Sequence, residues 1–126
     1  MPSRYEPYLL IAVGGFAGAC TRYAINEVVP GMFGILLINV LGCYLLGILM
    51  YESIFVGAFS PQTRLVYGSG FIGAFTTFST FSYQTFQASP SIAMLNVLSS
   101  LALGLAAVFL GRVTAIKMSG GSLRKS

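Results

Sequence analysis

The sequence has no histidine and no aspartate, and only 8% of its 126 residues are charged. A water-soluble domain carries roughly 25% charged residues, so the missing charge points to lipid as the solvent. Without histidine the commonest general base and metal ligand is absent. Its three acids are Glu6, Glu27 and Glu52, none of them deep inside an apolar stretch. No nucleophile–base pair can be assembled from such a set, which argues against an enzyme. The two cysteines, Cys20 and Cys43, both fall in apolar stretches and read as small packing residues rather than a disulfide or ligand pair. No basic leader precedes the first apolar stretch, which ends at Arg22 rather than a small-residue cleavage site, so a cleavable signal peptide is not expected. No face interleaves basic and aromatic residues as nucleic acid would require, so no nucleic-acid partner is expected.

What the chain does have is apolar length: 56% of its residues are hydrophobic and the mean hydropathy is +0.82. Apolar stretches of ~20 residues, enough to cross a bilayer core, fall at about 8–26, 33–56, 61–88 and 91–116. The fold expected is an all-α membrane protein, one domain over 1–126 with four transmembrane helices. Short connections make successive helices antiparallel neighbours. A tail over 117–126 reads as mobile. The basic residues cluster on the side holding both termini and the second loop: Arg4, Arg64, Arg112, Lys117, Arg124 and Lys125. That bias suits contact with anionic headgroups and places both termini in the cytoplasm. Small residues recur at close-approach spacing, Gly14 with Gly18, Gly42 with Gly47, Gly70 with Ala74 and Ser100 with Gly104. They serve either helix packing within one chain or an interface between copies.

The third stretch holds the unusual chemistry. From Gly70 to Ser82 it reads Gly-Phe-Ile-Gly-Ala-Phe-Thr-Thr-Phe-Ser-Thr-Phe-Ser, with no acid or base between Leu65 and Phe86. Thr76 and Thr77 beside Gly73 predict a locally broken helix, because β-branched side chains are stiff and hydroxyls compete for backbone carbonyls. Backbone groups freed at that depth are tolerated only inside protein or along a polar cavity, and freed carbonyls can hold a hard cation. Phe75, Phe78 and Phe81 recur every three residues. They either pack or present positive ring edges to an anion. Asn39 in the second stretch, and Asn96 with Ser100 in the fourth, offer further polar groups; their plain reading is helix–helix hydrogen bonding. Arg22 is the single base well inside a stretch. It either snorkels to headgroups or sets a fixed positive charge at the mouth of an anion path.

Gly14-Gly15-Phe-Ala-Gly18-Ala-Cys-Thr-Arg22-Tyr23, Gly34 to Gly42 with Asn39, the Gly70–Ser82 run, and Asn96 to Ser100 followed by Gly104 together resemble the Fluc fluoride-channel family, also called CrcB. The likeness covers nearly the whole chain in the right order. It implies a passive fluoride channel in the plasma (inner) membrane. The assembly implied is an antiparallel, dual-topology homodimer, with two pores at the interface and the third helix broken. By this resemblance Phe78 and Phe81 face the pore, Asn39 donates its amide, and Ser79, Thr80, Ser82 and Ser100 supply hydroxyls near the ion path. Arg22 lies near the vestibule, and the Gly73 and Thr76 carbonyls of both copies hold a central structural Na⁺. The family often has an acid where this chain has Gln84. A small dual-topology proton-coupled multidrug exporter is the competing reading, and it lacks the intramembrane acid such coupling needs. A non-transporting structural subunit is the third.

Overall fold

In the computed structural model residues 4–57 and 59–123 are described, and among them every regular element is helical. Chain order is α1 (Glu6–Val28), α2 (Gly31–Tyr51), a π-helical turn (Glu52–Val56), α3 (Pro61–Arg64), a π-helical stretch (Leu65–Ile72), α4 (Gly73–Phe75), α5 (Ser79–Gln87) and α6 (Pro90–Leu123). Local chemistry sets the boundaries. Pro30 precedes α2 in extended geometry. Gly57 closes the Glu52–Val56 turn with φ of 67°, a left-handed conformation that glycine adopts without strain. Ser60 caps α3 by accepting from Thr63 N–H at 3.2 Å, with Pro61 in the first turn. Pro90 opens α6, where its missing N–H costs nothing.

Three helical runs are long and apolar enough to cross a membrane: Glu6–Val28, Gly31–Phe55 and Pro90–Met118. They coincide with the first, second and fourth stretches expected from hydropathy. The third stretch is assembled instead from α3, the Leu65–Ile72 π-helical run, α4 and α5, and residues 76–78 belong to no helix, Thr76 being extended. α6 continues to Leu123, past the end of the apolar stretch at 116, so 117–123 of the expected mobile tail are helical. Arg124 and Lys125, counted in the charge bias, lie outside the described residues. Large apolar side chains such as Phe16, Leu105 and Phe109 stand on the outer surface, as expected where the surroundings are hydrocarbon rather than water.

Packing pairs α2 along α6, and α1 along the Leu65–Ile72 stretch and α4. The small core consists of Ile35, Ile38 and Phe75, flanked by Ile25, Phe71 and Phe81. Glycine decides how close the second pair can come. A Cβ on Gly14 would overlap the Val66 carbonyl, and one on Gly18 would overlap that of Phe71. The small-residue spacing of α1 is therefore used within the chain, and it holds the 65–75 segment against α1. Gly18→Val should cost about 1–3 kcal/mol or more, because backbone rather than a movable side chain is in the way. Thermal unfolding in detergent measures this, and an unchanged unfolding temperature would contradict the packing described.

Candidate functional site

The site is built around one peptide group. Thr77 N–H donates to Asn39 Oδ1 at 2.9 Å, and Asn39 Nδ2 donates back to the Thr77 carbonyl at 2.9 Å. The asparagine amide thus stands in for a neighbouring backbone strand, taking both polar groups of one residue on another element. In a continuous α-helix Thr77 N–H would go to the Gly73 carbonyl, and Thr80 N–H to the Thr76 carbonyl. Here Thr80 N–H is taken by Thr77 Oγ1 at 3.2 Å, at the start of α5, where helix donors otherwise lack partners. Both diverted donors release a carbonyl, one on Gly73 and one on Thr76. Thr76 turns the chain outward at φ −78°, ψ 160°, while its hydroxyl bonds back to the Ile72 carbonyl at 3.0 Å.

Arg22 reaches this turn from α1. Its Nη1 donates to the Thr76 carbonyl at 3.3 Å. The arginine therefore neutralises part of the released carbonyl charge at the point where the chain leaves helical geometry. Thr77 is buried and gathers two further hydroxyls, with Ser79 Oγ and Thr80 Oγ1 each 3.3 Å from its own.

The turn separates three phenylalanines that look equivalent in sequence. Phe75 is buried at 3% exposure and stacks on Phe71 with centroids 5.7 Å apart. Phe78, past the turn, is 79% exposed. Phe81 is half-buried and pairs with Phe78, centroids 6.0 Å apart and planes tilted by 40°. Phe78 and Phe81 border a cavity of about 570 Å³ that is also lined by Asn39, Thr76, Thr77 and Ser100. No acid or base is among the residues lining it. Two α2 residues complete the wall beside the turn: Gly42, where a Cβ would overlap the Thr76 methyl, and Cys43.

Of the residues singled out from sequence, Asn39, Thr76, Phe78, Phe81 and Ser100 meet at this cavity. Ser79 and Thr80 belong to the hydroxyl cluster around Thr77, Ser82 lies one turn along α5, and Gly73 opens α4. Thr77 stands out in the sequence as one of the run's hydroxyls and, with Thr76, as a place where the helix fails, but its pairing with Asn39 does not. Nothing local marks it, because its partner is 38 residues away. Asn96 is buried and ties α6 to α5 by donating to Thr85 Oγ1 at 2.9 Å, which in turn donates to the Phe81 carbonyl at 2.7 Å. That is the helix–helix role its plain reading gave it. Gln84 Oε1 is buried without a hydrogen-bond partner, an unmade bond on the same short helix. Asn39→Ala removes both bonds to Thr77 and leaves a buried N–H and C=O unpaired, at about 1–3 kcal/mol for each. Chemical denaturation in detergent should register a loss of roughly 2–5 kcal/mol, and a loss below half a kcal/mol would contradict the pairing.

Comparison with known proteins places this geometry. The family described as CrcB-like protein, Camphor Resistance (CrcB), matches residues 9–112. The chain is 47% identical over 103 residues to a protein of Methanospirillum hungatei named fluoride-specific ion channel FluC 1, covering 82% of this chain and 74% of that one. It is 47% identical over 115 residues to fluoride-specific ion channel FluC 2 of Methanosarcina mazei, covering 89% and 91%. Against fluoride-specific ion channel FluC 1 of Haloarcula marismortui it is 44% identical over 116 residues, covering 92% and 91%. With the match spanning the apolar helices, the turn and the cavity together, this multi-pass membrane protein belongs to the CrcB family.

Proposed function

We propose that this chain is a passive fluoride-selective ion channel of the plasma membrane that lets cytoplasmic fluoride out down its gradient. Two copies would assemble as an antiparallel homodimer, with two fluoride paths at their interface and the 61–87 segment making the fourth crossing. The observation that carries the reading is the cavity at the turn, apolar over most of its wall, with a few hydrogen-bonding side chains and no fixed charge, in a chain whose relatives are named fluoride-specific channels. Fluoride is a small, hard anion, and leaving water requires hydrogen donors in place of its hydration shell. Asn39 Nδ2 carries two hydrogens, of which Thr77 takes one, so the other can donate into the cavity. Ser100 adds a hydroxyl from α6. Phe78 and Phe81 offer ring edges, which attract an anion where ring faces repel it. Ser79, Thr80 and Ser82 continue the hydroxyls along α5. A cavity without an acid gives a proton-coupled exporter nothing to protonate, and the relatives point to transport rather than catalysis.

The homodimer is supported by Phe78, a phenyl left 79% exposed at the rim of the cavity, which a second copy would cover. A structural Na⁺ is supported by the two carbonyls that lack their helical donors, on Gly73 and Thr76, since backbone oxygens at a broken helix suit a hard monovalent cation. The fit is shared, because Arg22 already donates to the Thr76 oxygen. A cation there would lean on the Gly73 carbonyl and on carbonyls of a second copy, and its charge would steady both broken segments. Arg22 would meanwhile keep a positive charge at that end of the path.

Purified protein in proteoliposomes should release fluoride passively, and efflux that is absent or matched by chloride would sink the channel reading. Phe81→Ile should cut fluoride flux several-fold while leaving the dimer intact, because a ring edge that attracts the anion is lost from the path. Normal flux in that variant would remove the ring-edge role. Replacing Na⁺ by N-methylglucamine should lower the unfolding temperature, by the linkage that stabilises any state to which an ion binds. Identical unfolding in both salts would argue against the cation.

A further inference from the structure

The cavity at the turn is one compartment of a longer groove between α2 and the segment facing it. Asn39, Cys43, Leu46, Met50 and Ser53 recur every three or four residues and therefore share one face of α2 and its continuation. The first three line the cavity at the turn. The last three line a second cavity of about 400 Å³, closed on the opposite side by Arg64, Gly68 and Ser69. Leu46 belongs to both. The two cavities therefore succeed one another along one helix face, from the turn to the Glu52–Val56 π-helical turn and α3.

The two compartments differ in chemistry. The inner one has no fixed charge, whereas Arg64 places a guanidinium in the wall of the outer one. Ser53 also lines the outer cavity, and its buried Oγ has no hydrogen-bond partner. A buried hydroxyl left unpaired is destabilising, and a ligand able to accept from it would recover that loss. Ser69 adds a second hydroxyl. Glu52, the acid next in sequence to Ser53, is buried and does not line the cavity. A guanidinium with two hydroxyls and no carboxylate is a donor set for a small anion.

We propose that this outer compartment is an anion-collecting mouth of the fluoride path, in which Arg64, Ser53 and Ser69 hold the ion before it passes Leu46 into the charge-free cavity. The assignment rests on the reading of the inner cavity as a fluoride path. A path without charge cannot draw ions from dilute solution, while a fixed charge inside it would hold them too tightly to pass. Placing the charge at the mouth separates the two tasks, because a charged cleft raises the local concentration of its counter-ion by about 10–10³-fold. Arg22 bonds the turn itself, so Arg64 is the fixed charge that lines the groove at its other end.

The fluoride dependence of flux in vesicles of phosphatidylcholine alone tests this. At low ionic strength Arg64→Gln should raise the half-saturating fluoride concentration roughly tenfold with the maximal rate retained. Arg64→Glu should raise it further, Arg64→Lys should restore most of it, and Ser53→Ala should give a smaller rise. The difference between wild type and Arg64→Gln should shrink as potassium sulfate is added, because salt screens an exposed charge. Equal half-saturation in wild type and Arg64→Gln would overturn the proposal, as would a loss confined to the maximal rate. An Arg64 effect seen only when phosphatidylglycerol is present would overturn it too, by assigning the site to a lipid phosphate. Wild-type protein that passes no fluoride at all would instead strike the channel reading itself.

Discussion

A peptide group buried among apolar helices must find partners for its N–H and its C=O, and for Thr77 a single side chain supplies both. The Asn39 amide receives one bond and gives the other, each at 2.9 Å. Continuing the helix through Thr77 would use the same two groups, so the chain has one arrangement or the other. With the asparagine in place, the Gly73 and Thr76 carbonyls lose their helical donors, α5 begins anew under the Thr77 hydroxyl, and the phenyl rings on either side of the turn part company. Phe75 enters the core, while Phe78 and Phe81 border the uncharged cavity.

The rest of the molecule keeps that exchange in place. Gly14 and Gly18 let α1 lie directly on the backbone of the segment before the turn, and Arg22, one helical turn beyond Gly18, bonds the Thr76 carbonyl. Gly42 gives the Thr76 methyl room against α2. On the other side Asn96 and Thr85 link α6 to α5 near the Phe81 carbonyl. These restraints come from three different helices and converge on about ten residues. Fixing the geometry this way leaves the cavity wall without a charged side chain.

Much of this was legible in the sequence. Low charge and apolar runs of membrane length marked an all-helical membrane protein, and the Gly70–Ser82 run stood out for polarity without charge. Gly73, Thr76 and Thr77 drew attention as places where a helix would fail, and residues 76–78 belong to no helix. Other features were not legible. Hydropathy treats 61–88 as one stretch, yet it is built from several short helical pieces, and its interruption at 76–78 is held by Asn39 on another helix. The threefold spacing of Phe75, Phe78 and Phe81 suggested one face, and the turn undoes that face. Above all, the partnership of Asn39 with Thr77 joins residues 38 apart, and no local pattern announces which of two adjacent threonines will receive it.

The central claim is that an asparagine-held turn creates a charge-free path on which hydrogen donors and ring edges select fluoride. Selectivity across a single channel tests it most directly. In a planar bilayer with fluoride on one side and an equal concentration of chloride on the other, the account predicts a current that reverses close to the potential of a purely fluoride-permeable membrane. Reversal near zero, or at a potential set by chloride, would contradict it.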